Sequence, residues 1–159
     1  MKTVEYTSTF QIGQPILKLF PLFSPEGEKY WVPGWSYENV MGTTELSEDY
    51  IFLTKSHDHG SADAIWLVKR FDPDAHVVEF YRVEPGEKVG VVKVKCAEVE
   101  SDKTEVEVSY KYSPLSEKGE HFVSGFTQAD YDEFIGEWKE LLLKYFASKA
   151  EQGAAADAD

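Results

Sequence analysis

The sequence predicts an α+β domain: a curved seven-stranded antiparallel sheet wrapped around one long C-terminal helix, with two short helices after the first strand. Three observations predict it. Strand-like segments follow one another through the middle of the chain, separated by turn residues. Charged residues on those segments fall at positions that pair across neighbouring strands. Near the C-terminus, apolar residues then recur at three-four spacing, as they do on one face of a helix.

Val4, Tyr6, Ser8 and Phe10 alternate with Glu5, Thr7, Thr9 and Gln11, so the first strand has one covered face and ends near Gly13. The next segment, ILKLFPLF, has helical spacing but meets Pro21, which predicts two short helices with a break between them. Pro25 and Pro33 divide the following stretch again, and Gly34 permits a tight return into the sheet. Tyr30, Trp31 and Trp35 are expected to pack toward the end of the long helix as a brace for the short helices, one that could also act as a lid.

WSYENVM, YIFLT, AIWLVKRF, HVVEFYRV, VGVVKVKCAEV and TEVEVSYKY form the meander. Three-residue turns in its last three hairpins set Lys69 against Glu79, Glu79 against Lys93, Lys95 against Glu107, and Glu84 against Lys88. A one-residue slip would lose all four pairs. This ladder marks the solvent side, which leaves Trp66, Val68, Arg70, Val78, Phe80, Arg82, Val92, Val94, Cys96, Val106, Val108, Tyr110 and Tyr112 facing inward.

The long helix is expected from Thr127 to Ala150, about 35 Å of rod. Thr127 and Asp130 form a capping-box variant, and Phe126 can staple onto Tyr131. Tyr131, Phe134, Ile135, Trp138, Leu141, Leu142 and Tyr145 make its apolar face. Residues 1–150 read as a single domain, and 151–159 as a disordered acidic tail.

Composition narrows the function classes. Of 159 residues, 16 are basic and 29 acidic, and the net charge of −13 repels phosphate, so neither nucleic acid nor an anionic membrane surface is an expected partner. Cys96 is the single cysteine, which fits a reducing compartment and a cytoplasmic location. The opening MKTVEYTSTFQIG lacks a signal-peptide core, and no apolar run reaches the roughly 20 residues of a membrane helix. Stable membrane insertion is therefore not expected.

His57, Asp58 and His59, with Asp63 beyond, have the residue types of a metal site, but no known ligand spacing. Gly60 and Ser61 favour a solvated turn, so no metal and no cofactor is expected. Arg70 and Arg82 on the inner face could bind a ligand carboxylate; they could also pair with loop acids or reach water along their apolar stems. Arg82 is the stronger candidate, since Arg70 lies nearer a turn. Trp66, Phe80, Tyr110, Tyr112, Phe134 and Trp138, with Trp31 from the proline-broken segment, could line a ligand cavity or fill a solid core. The Gly-x-Ser-x-Gly elbow, the phosphate-binding P-loop and the His-Glu-x-x-His motif are absent, and His76 and His121 fall in expected turns or loops. Arg82, Tyr110 and an acid could still polarise a carbonyl, without a local motif behind them.

The element order resembles the helix-grip fold of the START and birch-pollen-allergen-like superfamily, also grouped as SRPBCC or polyketide cyclase/dehydrase proteins. LFPLFSPEGEKYWVPGW, IWLVKRFDPDAHVVEFYRVEPGEKV and YKYSPLSEKGEHF are similar to segments of bacterial members. The resemblance implies a hollow between sheet and long helix that accepts lipids, polyketides or other apolar molecules. It carries no universal catalytic residue, and the glycine-rich loop of the allergen branch is replaced by GTTELSED. A small hydrophobic ligand is the implied partner. Cyclase, dehydratase or hydrolase activity in the same hollow is one alternative, and an interaction module like the chaperone-activator branch is another.

Overall fold

The computed structural model describes residues 2–56 and 63–158, with side chains to residue 153. Strand β1 (Val4–Ile12) leads into α1 (Ile16–Leu19), a single 3-10 turn (Phe20–Leu22) and α2 (Pro25–Glu28). Then come β2 (Glu38–Asn39), β3 (Ile51–Thr54), β4 (Ala64–Asp72), β5 (Val77–Glu84), β6 (Lys88–Glu100) and β7 (Lys103–Pro114). Two helices close the chain, α3 (Glu117–Gly125) and α4 (Gln128–Ala158). The strands form one seven-stranded antiparallel sheet in the order β1-β7-β6-β5-β4-β3-β2. The first strand therefore returns to lie beside the last.

Three of the expected charge pairs are in register: Glu79 with Lys93, Lys95 with Glu107, and Glu84 with Lys88. The fourth is displaced by a β-bulge between Val68 and Arg70, so Arg70, not Lys69, stands opposite Glu79. One extra residue on the bulged strand reverses the facing of those beyond it. Arg70 consequently leaves the inner face for solvent, where it pairs with Asp72 at 3.6 Å and Glu79 at 3.9 Å. Phe71 turns inward in its place and stacks on Phe20 with ring centroids 6.2 Å apart.

A second correction concerns Glu84 and Lys88. They pair as expected, but on the covered side: Lys88 is buried, at 5% exposure. Side chains alternate along a strand, so Glu84 shares the face of Arg82, two residues before it. The other expected inner residues are buried, Trp66 and Arg82 only partly.

The segment after β7 also differs from expectation. Residues after Pro114 form α3, which brings His121 into a helix; Ser116 caps it by accepting from the Gly119 amide at 3.3 Å. Over α4 the expected capping box is present, with Thr127 N–H donating to Asp130 at 3.0 Å and Asp130 N–H donating to Thr127 Oγ1 at 3.2 Å. The backbone stays helical past Ala150 to Ala158, where a frayed tail was expected. Its alanines have the highest helix propensity of any residue.

Helix α4 is pinned to the sheet near its start. Buried Tyr131 donates its hydroxyl to the Val108 carbonyl, and Tyr6 donates to the Phe126 carbonyl at 2.6 Å. The proline-broken segment is held by its own indoles: Trp31 Nε1 donates to the Leu22 carbonyl at 2.8 Å, and Trp35 Nε1 to the Pro25 carbonyl at 2.9 Å. Gly34 supplies the expected turn at φ +70°.

Within that segment Gly27 has no room for a side chain. A Cβ there would lie 2.3 Å from the Pro21 carbonyl oxygen and 2.6 Å from Leu22 Cα. Because both obstacles are backbone, Gly27→Ala must displace α2 from the 3-10 turn. The substitution is expected to cost roughly 2–4 kcal/mol in urea unfolding, well above an ordinary surface exchange.

Candidate ligand cavity

The core does not fill the space between α4, α2 and the sheet. A cavity of about 450 Å³ remains, lined by Glu28, Trp31, Val32, Trp35, Trp66, Arg82, Tyr110, Tyr112, Phe134, Glu137, Trp138 and Leu141. Seven of the eight expected site residues thus border one space. Phe80 lies behind them, edge-on to Trp66 at 5.8 Å. It borders a separate void of about 20 Å³, room for roughly one water.

Each wall has a local cause. Trp66, on β4, stacks on Phe52 at 5.4 Å and donates its indole N–H to Thr54 Oγ1 at 3.0 Å, so its polar atom is satisfied outside the cavity. Trp138, on α4, meets Trp31 edge-on at 5.6 Å and Phe23 at 6.1 Å. That contact joins the long helix to the proline-broken segment. Trp31 is both brace and cavity wall, since it is buried and hydrogen-bonded yet borders the space. Tyr30, also expected to pack, is mostly exposed and tilted against Tyr145 at 6.2 Å. Phe134 sits at the mouth, 36% exposed and edge-on to Tyr110.

Arg82 enters the site already partnered. Its guanidinium pairs with Glu84 and lies 5.4 Å from the centre of the Trp66 ring. Glu84 also accepts from Lys88 Nζ at 2.7 Å, and Lys88 reaches Glu87 at 3.1 Å. Lys88 additionally stands 3.9 Å over the Phe122 ring of α3. Burial lowers the Lys88 pKa, an effect opposed by Glu87. With Lys118 reaching Glu87 at 3.9 Å, three cations share two carboxylates in a cluster beside the cavity wall.

Sequence reasoning missed Glu28. Its carboxyl group borders the cavity at the end of α2, and burial raises its pKa from 4.5 to about 8 with no cation offsetting the shift. Among the described residues its side chain has no hydrogen-bond or ion-pair partner. Glu26, two residues earlier, shows the opposite: Tyr37 donates to it at 2.5 Å and Lys29 at 3.1 Å, and its pKa is lowered. One turn of helix therefore carries two acids of different charge at neutral pH. A sequence signal for Glu28 existed, since Trp31 and Val32 follow it at i+3 and i+4.

The tyrosines give weak acids. Burial pushes Tyr110 well above its ordinary value, and Tyr112 up to about 12. Buried Cys96 is likewise pushed up to about 12 by burial, which makes it unreactive. His57, Asp58 and His59 lie outside the described residues; Asp63 accepts from the Ser56 amide at 3.1 Å. Among the described residues no cluster of metal-ligating side chains occurs, and no helix is long and apolar enough to cross a membrane.

No protein-family model and no curated protein matches the sequence. Solved structures do match the fold. The chain is similar to Ara h 8.0201 at 11% identity and a TM-score of 0.64, over 91% of this chain and 95% of that one. It is similar to norcoclaurine synthase from Thalictrum flavum, in complex with dopamine and hydroxybenzaldehyde, at 12% identity and 0.63, over 90% and 88%. A third match is protein MLL2253 from Mesorhizobium loti, at 13% identity and 0.58, over 90% and 98%. The chain has the helix-grip fold of birch-pollen-allergen-like proteins.

The Glu28 environment predicts a pH-dependent stability. Its folded-state pKa lies above the unfolded value, so the folded protein holds the extra proton between about pH 4.5 and 8, and stability falls as pH rises through that window. Glu28→Gln, which mimics the neutral acid, should leave Tm nearly unchanged at pH 4.5 and raise it by about 10 °C at pH 8.5. Equal effects at both pH values would show that the carboxyl is solvated.

Proposed function

We propose that this protein binds a small hydrophobic or amphipathic molecule in the cavity between α4, α2 and the sheet. The observation that carries the reading is the cavity itself. A space of about 450 Å³ walled by tryptophan, tyrosine and phenylalanine persists beside a core whose residues are otherwise buried. Protein interiors ordinarily close such voids, because an empty one forfeits contact energy on every side. A guest restores those contacts and gains roughly 25 cal/mol for each Å² of apolar surface it buries. The helix-grip fold typically holds hydrophobic ligands, and an enzyme of this fold has been solved with small aromatic molecules bound, which supports the same reading. Glu28, Arg82, Tyr110 and Tyr112 are the polar groups available to orient the guest's polar end.

N-phenyl-1-naphthylamine, uncharged at neutral pH, is expected to enter with a dissociation constant of about micromolar order and to gain fluorescence. Phe134→Ala at the mouth and Trp66→Ala in the wall should each weaken it about tenfold. Failure of such neutral probes to bind would remove this function.

A second reading is favoured by Glu28 specifically. A neutral carboxylic acid beside Tyr110 and Arg82 has the components of a proton-transfer site acting on a carbonyl compound. Turnover of aromatic carbonyl substrates that falls by about a hundredfold in Glu28→Gln, with probe binding retained, would identify the cavity as an active site.

A further inference from the structure

The polar part of the cavity has an unbalanced sign of charge. Arg82 is the one cation among the described residues lining it, and its charge is already met by Glu84. The nearby Lys88 is closed off by Glu84 and Glu87. What remains is acidic: Glu28, without a partner, and Glu137, exposed on α4 at the mouth. The groups facing Glu28 across the space are Arg82 from β5, Tyr110 and Tyr112 from β7, and Glu137 from α4; β4 contributes the uncharged Trp66. On its own element Lys29 is taken by Glu26, and Lys55 borders only an adjoining depression.

All four tryptophans of the chain, Trp31, Trp35, Trp66 and Trp138, line the same cavity as Glu28. Indole rings attract organic cations through their electron-rich faces, and the effect is strongest where water is excluded. We propose, building on the binding reading above, that the ligand is an amphipathic organic cation, an amine or quaternary ammonium whose charged end sits beside Glu28 among these indoles and whose apolar body fills the cavity. A carboxylate guest of the same shape would meet an arginine that already has its counter-ion and the exposed Glu137 at the mouth, and it would gain nothing from ionisation of Glu28. The protein's overall charge of −13 raises the local concentration of cations and lowers that of anions.

The proton balance of this binding is specific. In the empty cavity Glu28 holds its proton at neutral pH, since its pKa stands at about 8. An arriving cation favours the carboxylate, so the Glu28 proton passes to solvent as the ion pair forms. Binding of a cation therefore releases close to one proton near pH 7, whereas binding of a neutral guest releases none.

Three probes of matched shape test this: trimethyl(2-naphthylmethyl)ammonium, 2-naphthylmethanol and 2-naphthoate, titrated calorimetrically in two buffers of different ionisation enthalpy. The quaternary ammonium cannot itself titrate, so any proton released comes from the protein. It is expected to bind about tenfold tighter than the alcohol, with the naphthoate weakest, to release about one proton near pH 7, and to tighten at least about tenfold from pH 6.5 to 8.5. Glu28→Gln should abolish the proton release and the pH dependence, and a Tm no lower than that of the unaltered protein shows that the variant folds. Glu137→Gln should leave proton release unchanged. Naphthoate binding as tightly as the ammonium, or proton release persisting in Glu28→Gln, would overturn the cation assignment. If the alcohol binds and the ammonium binds no better, the cation assignment fails and the binding function stands; if none of the three binds, both fail.

Discussion

The structure depends on a mismatch of widths. Seven strands about 4.8 Å apart make a sheet roughly 29 Å across, and one helix with its side chains covers only about 10 Å of it. Tyr131 and Tyr6 fasten α4 toward the β1–β7 edge. The remaining inner face, toward β4 and β5, must be covered by something else. The proline-broken segment provides that cover, and the cavity is the gap where the two covers meet across Trp31 and Trp138.

Because the cover is made of large rigid rings, it stands without collapsing. Trp31, Trp35 and Trp66 each have the indole N–H tied to an oxygen, which fixes the ring while its remaining surface borders the space. Flexible aliphatic side chains could have rotated to fill the void; a hydrogen-bonded indole has fewer ways to do so. The same arrangement leaves Glu28 half-buried beside aromatic rings. Its neutrality and its placement have one cause, the position of α2 against the 3-10 turn, which Gly27 allows by offering no side chain.

The buried charges divide into two kinds with different consequences. Arg82, Glu84, Lys88 and Glu87 satisfy one another, and such a cluster fixes geometry more than it attracts a guest. Glu28 satisfies nothing and is kept uncharged by its surroundings. A site that is neutral when empty and acidic when a cation enters gains affinity only for the guest that stabilises its charged form. Selectivity of that kind needs no preformed buried charge, which would be expensive to maintain.

Much of this was legible in the chain. Period-two alternation fixed the strands, and Glu79, Lys93, Lys95 and Glu107 fixed the register, because opposite charges align in only one of the possible pairings. Thr127 and Asp130 marked the helix start, and three-four spacing marked the face of α4 that meets the sheet. Local rules failed where a single residue changed the count or the face. The bulge beside Lys69 sent Arg70 outward, and no feature of KRF announces it. Glu84 and Lys88 are charged and were assigned to solvent, although their parity with Arg82 put them inside. Ser116 as a helix cap was overlooked in a stretch rich in turn residues. Which residues are strand, helix or turn follows from neighbours along the chain, and the sequence determines it. Whether aromatic rings close a core or leave a cavity, and whether Glu28 meets water or indoles, depends on how far two separate covers reach across one sheet, which only the tertiary structure decides.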